Sequence, residues 1–133
     1  MKIVVDTNLF VAQRFNRESA SAKILKLAKE NKIQILWTDK IRKEVERILK
    51  NIKAKKSLKE ISTIFKEKNR VFVKKKIKEI KEDPEDNKFL EAAFWGGAKL
   101  IVSSDTHLLK LKKFQEIPIL TPKNALDFIL NKK

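Results

Sequence analysis

The chain has 133 residues, 42% of them apolar and 37% charged, which is the size and balance of one globular domain with its own core. It contains no cysteine, one histidine (His107) and two glycines, adjacent at Gly96 and Gly97. Disulfides, thiolate metal sites, multi-histidine centres, P-loops and dinucleotide fingerprints are thereby excluded. Lys and Arg outnumber Asp and Glu by 32 to 17, a net charge of +15, which favours a polyanionic partner such as nucleic acid over a merely solvated surface.

Residues 2–5 (KIVV) read as a strand buried on both faces, because β-branched residues follow one another without polar alternation. A short helix is expected from Leu9 to about Arg14, and a second from Ser19 to Lys29 with Ala20, Ile24, Leu27 and Ala28 inward. Residues 33–38 (IQILWT) form a second strand. Asp39 then caps a helix to about Lys50 with Ile41, Val45, Ile48 and Ile52 as its apolar stripe. A further helix spans 57–66 with Leu58, Ile61, Ile64 and Phe65 inward, and the basic stretch 69–82 fits either an extended arm or the start of a helix. The segment DPEDNKFLEAAFWGG carries helix punctuation: Asp83 as N-cap, Pro84 in the first turn, a glycine pair at the end. Residues 99–105 and 117–120 are the third and fourth strands, and Thr121-Pro122 opens a final helix to about Leu130.

Strands alternate with helices, so the fold class is α/β with a mainly parallel sheet in a single domain over 1–133. No apolar run approaches the ~20 residues of a membrane span. KIVV is too short for a signal-peptide core and is interrupted by Asp6, so a cytoplasmic location is the expectation.

In an open parallel sheet ligands bind beyond the carboxyl ends of the strands. Asp6 and Asp105 both follow apolar strands at such ends. Asp86 falls three, four and seven residues before Phe89, Leu90 and Ala93, inside the apolar stripe of its helix, whereas Glu85, Lys88 and Glu91 point elsewhere. The helix dipole favours an acid in the first turn, but it does not require that acid to face inward, where an unpaired charge is costly. Glu44 lies at the margin of the stripe of its own helix. Four converging carboxylates call for a cation, and oxygen ligation without Cys or clustered His selects Mg²⁺ or Mn²⁺. The surrounding lysines would hold the polyanion that an acidic pocket repels.

Three stretches, VVDTNLFV, RKEVERIL and DPEDNKFLEAAFWGGAKLIVSSDTHLL, resemble in order the PIN domain, a family of Mg²⁺/Mn²⁺-dependent nucleases, over essentially the whole chain. The resemblance implies a three-layer α/β/α fold and an endoribonuclease. It implies Asp6, Glu44, Asp86 and Asp105 as catalytic acids, with Asp6, Asp86 and Asp105 on the metal and Asn8, Ser103 and Thr7 in support. The chain is most similar to small prokaryotic members, including VapC-type toxins, which often form homodimers and pair with an antitoxin protein. RNA-processing members and a catalytically silent RNA-binding module are the alternatives. The arm at 69–82 is more basic than in a generic member. Aspartyl phosphoryl transfer fits less well, because Asn8 stands where a phosphatase has its second acid. His107 reads as a lone surface imidazole and Trp37 as core, while Phe94 and Trp95 suit core or self-association.

Overall fold

The computed structural model describes residues 1–131. Five strands form one sheet in the order β2-β1-β3-β5-β4: β1 (Lys2–Val5), β2 (Gln34–Ile35), β3 (Leu100–Val102), β4 (Lys113–Phe114) and β5 (Ile117–Leu120). All pairings are parallel except the terminal β4–β5 hairpin. Among the described residues seven α-helices surround the sheet: α1 (Asn8–Phe15), α2 (Ala20–Lys29), α3 (Asp39–Asn51), α4 (Lys55–Ile64), α5 (Asn87–Gly96), α6 (Thr106–Leu109) and α7 (Pro122–Asn131). The arrangement is the mixed α/β, three-layer class expected from the strand–helix alternation. Ile3, Val4 and Val5 of β1 and Leu100, Ile101 and Val102 of β3 are buried, as unbroken apolar runs require of central parallel strands. Among the described residues no helix is long and apolar enough to cross a membrane.

The chain passes from β1 to β2 on one side, then returns to place β3 on the other side of β1. The crevice between the carboxyl ends of β1 and β3 is therefore the topological switch point of the sheet, where such folds bind ligands. Register continues the alignment one step further: Val5 pairs with Val102, and the next residues, Asp6 and Ser103, stand side by side.

Several local expectations need correction. Strand β2 covers only two residues of the expected six, because Trp37 leaves the sheet to bridge to Arg70. Thr38, not Asp39, caps α3, its hydroxyl accepting from the Ile41 amide. The buried stripe of α3 is Ile41, Val45 and Leu49, which turns Ile48 toward the crevice. Helix α4 runs from Lys55 to Ile64, starting and ending two residues before the expected bounds of 57 and 66. Of the two readings of 69–82 the extended arm holds, fastened by α5: Glu91 accepts the Ile77 amide (3.0 Å), Asn87 pairs with both backbone groups of Ile80, and Trp95 donates to the Lys75 carbonyl. Glu91 and Lys88, which lie off the apolar stripe of α5, are nonetheless buried, Glu91 under the arm and Lys88 against Glu44 and Glu85. Asp83 makes no side-chain cap; it precedes a 3-10 turn, Pro84–Asp86, that leads into α5. Gly97 ends α5 in the left-handed region (φ 69°), and a Cβ on Gly96 would lie 2.7 Å from the side chains of Leu36 and Val71.

Candidate active site

A cavity of about 140 Å³ opens at the switch point, lined by Asp6, Thr7, Asn8, Glu44, Ile48, Asp86, Phe89 and Asp105. The four acids singled out in the sequence thus share one wall space, although they come from four different segments. Asp6 is only 3% exposed. Its Oδ2 accepts from the Ser103 hydroxyl and the Ser104 amide (3.1 Å), and its Oδ1 from the Asn8 amide (3.0 Å). Asn8 supports the carboxylate through its backbone, and Ser103 through its side chain. The Ser103 hydroxyl in turn accepts from the Asp105 amide, which ties the ends of β1 and β3 into one hydrogen-bonded unit. Asp105 caps α6 by accepting the His107 amide at 2.7 Å.

Glu44 projects from α3 toward the same space and is held at both oxygens. The Thr7 hydroxyl donates to Oε2, and the Lys88 ammonium lies 2.7 Å from Oε1. Lys88 is the partner that periodicity missed. Its side chain is 2% exposed, bonded also to the Glu85 carbonyl at 2.9 Å and set against the Phe89 ring. A buried ammonium needs a partner of this kind.

Among the described residues, ligand-type atoms of Asp83, Asp86, Asp105 and His107 come together, one atom of each lying within 4.8 Å of the others. Asp83 and His107 were not among the expected site residues; Asp6 and Glu44 line the cavity but stand outside this group. No periodicity argument could have found His107, because the Asp105 cap and the short α6 turn its ring back over the acids. Its Nδ1 lies 3.6 Å from Asp105 Oδ1 and 4.0 Å from Asp86 Oδ2. Both His107 Nδ1 and Asp86 Oδ2 are buried with no hydrogen-bond partner. Two orphaned ligand atoms facing each other at this separation, flanked by further carboxylates, fit a hard divalent cation with metal–ligand bonds of about 2.1 Å.

Electrostatics agree with that fit. Asp86 is pushed up to about 7, first by burial and then by the charges of Asp105 and Asp83, with Lys88 opposing. Asp6 is also raised by burial, against the three hydrogen bonds it accepts. A carboxyl raised in the folded state contributes stability at low pH that is lost as pH rises through its folded value. For Asp86 that loss is spread from about 4 to about 7, as the folded chain gives up its proton. A divalent cation competes with that proton. The rise in melting temperature produced by saturating Mn²⁺ over EDTA should therefore widen from pH 5 to pH 8. An equal rise at both ends of that range would sever Asp86 from metal binding.

A family model described as PIN domain matches residues 2–107. No curated protein and no solved structure matches the chain.

Proposed function

The chain belongs to the PIN domain family, a family of nucleases that typically use divalent metal, and on that premise we propose that it is an Mg²⁺- or Mn²⁺-dependent endoribonuclease. The observation that carries the proposal is one cavity at a sheet switch point, lined by Asp6, Glu44, Asp86 and Asp105, in a chain whose net charge is +15. Acids alone would repel RNA; acids around a cation, inside a basic molecule, attract it.

Asp6, Asp86 and Asp105 would hold the cation, with Asp83 and His107 close enough to join the set. An imidazole nitrogen among the oxygens supports Mn²⁺ over Mg²⁺. When bound, the divalent ion supplies a more acidic water and offsets charge on the phosphate. The protein's own part is geometric. Ser103, Ser104 and Asn8 fix Asp6, and the Asp105 cap fixes its carboxylate. Thr7 and Lys88 hold Glu44 in one orientation, from which it would orient the attacking water and take its proton. Both oxygens of Glu44 already accept, so the orienting role is the better supported of the two.

The biological setting proposed is the toxin of a type II toxin–antitoxin pair, acting in the cytoplasm as a homodimer of single nuclease domains. Likeness to small prokaryotic members supports it, as does exposed Phe94 packed edge-on against Trp95, an apolar patch suited to self-association. A short reading frame overlapping upstream would favour the toxin; its absence would favour RNA processing. The chemical proposal is tested directly. Labelled single-stranded RNA should be cut with Mn²⁺ or Mg²⁺ present and left whole in EDTA. RNA bound but uncut under every metal condition would instead identify a silent binding module.

A further inference from the structure

The acid cavity does not end the features that the fold lines up. A second, larger channel of about 630 Å³ lies between the end of α1, α2 and the turn from α3 to α4. Its one carboxylate, Glu60, is taken by Lys29 at 2.6 Å. Arg17, Lys26, Lys53, Lys55 and Lys56 also line it, and among the described residues none of them has a carboxylate within ion-pair distance. These five and Arg14, which also lines the channel, are exposed and solvated, and together they set up a positive potential that attracts a polyanion.

The channel and the acid cavity are joined by one seam. Helices α1 and α3 run side by side. At one end the Thr7 hydroxyl meets Glu44, and Ile48 lines the acid cavity. One turn further along α3, the Ile52 carbonyl accepts the Arg14 guanidinium. From Asn8 to Arg14 is about 9 Å along α1, so the channel begins within a few nucleotides of the acids. Beside it stands Phe15, the most exposed of the large apolar side chains at 76%, with the Arg14 guanidinium 6.0 Å from its ring centroid. A cationic track with an exposed aromatic ring is the combination that binds single-stranded nucleic acid, phosphates on the cations and a base on the ring.

We propose that this channel, with Phe15 at its rim, is the binding track for the single-stranded RNA backbone adjoining the scissile bond. The proposal rests on the nuclease reading for its substrate, but its test does not depend on cleavage. Affinity of the wild-type chain for a labelled 12-nucleotide single strand is measured in EDTA across a salt series. The variant Arg17→Ala/Lys53→Ala/Lys56→Ala should bind at least about tenfold more weakly at 0.1 M salt, and its log–log salt slope should fall by about 2, since each single-strand phosphate contact contributes about 0.7. The control Lys2→Ala/Lys32→Ala/Lys99→Ala removes three exposed cations from the amino-end edge of the sheet and should leave the slope nearly unchanged. Phe15→Ala should weaken single-strand binding by about fivefold or more, and duplex RNA binding hardly at all. Equal losses in the two triple variants would reduce the channel to part of a diffuse positive field and overturn the proposal. So would a Phe15→Ala effect seen only in sedimentation, which would make the ring a self-association contact. Failure of the wild type to cut RNA with any metal would overturn the nuclease reading while leaving the binding result to stand or fall by itself.

Discussion

Asp86→Asn is expected to raise the melting temperature of the metal-free protein while lowering metal-dependent cleavage on the order of 10³-fold. The two effects have one cause. Asp86 is 13% exposed, its Oδ2 has no hydrogen-bond partner, and Asp105 and Asp83 crowd it with like charge. At pH 8 the folded chain must keep that carboxylate ionised against its surroundings. An asparagine removes the charge at almost the same volume, and a rise of about 2–5 °C follows for a domain of this length. The same exchange takes away the anionic ligand that faces His107, so Mn²⁺ should no longer stabilise the variant. Differential scanning calorimetry with and without Mn²⁺ reads the first part, and a single-turnover cleavage assay the second. A variant that melts lower without metal, or that still cuts RNA at the wild-type rate, contradicts the assignment. Asp6→Asn should behave differently: its carboxylate accepts three hydrogen bonds, one of which an amide cannot replace, so loss of activity comes with little gain or a small loss in stability.

Glu44→Gln carries the second large effect, in the opposite direction. Removal of an acid from an acidic pocket would by itself relieve repulsion. The nearer interaction decides the sign, because Lys88 lies 2.7 Å from Glu44, while among the described residues the other carboxylate within ion-pair distance of it, Glu85, is 3.9 Å away and exposed, and Asp86 acts on it only from further off. Breaking a buried pair by removing one partner costs about 3–5 kcal/mol. The glutamine carbonyl can still accept from the ammonium, so about 2–4 kcal/mol is the expected loss, or roughly 10 °C in melting temperature. The double variant Glu44→Gln/Lys88→Met removes the stranded charge as well and should recover most of that stability. Activity separates two roles for Glu44. If the double variant regains stability but not cleavage, Glu44 acts on the reaction; if both return, its task is only to neutralise Lys88.

Much of the fold could be read from local signals. Strand β1, helix α2, strand β5 and helix α7 are set by apolar runs and proline within their own segments, and they appear close to their expected bounds. What escaped depends on distant partners or silent backbone. The 69–82 arm has no stripe of its own because its tethers, Asn87 and Glu91, belong to α5. The β4–β5 hairpin turns on Gln115 and Glu116, both left-handed (φ 50° and 67°), where glycine or asparagine would have announced it. Asp6, Glu44, Asp86 and Asp105 were legible as lining residues of one cavity because charge next to an apolar stripe is conspicuous. The places of Asp83, Lys88 and His107 were not legible: Asp83 resembled a cap, His107 is set by a helix of four residues, and a lysine's long stem hides which way its charge is turned.

The pairing of β1 with β3 also dictates when the crevice can exist. Asp6 and Ser103 touch across 97 residues of chain, and β3 can join β1 only after both have been synthesised. A ribosome adding about 5–20 residues per second needs roughly 5–20 s to cover that interval. Throughout it, the first carboxylate is made but has no cleft to stand in. The acid cavity is therefore complete, and the proposed nuclease competent, only once the last third of the chain has emerged and closed the sheet.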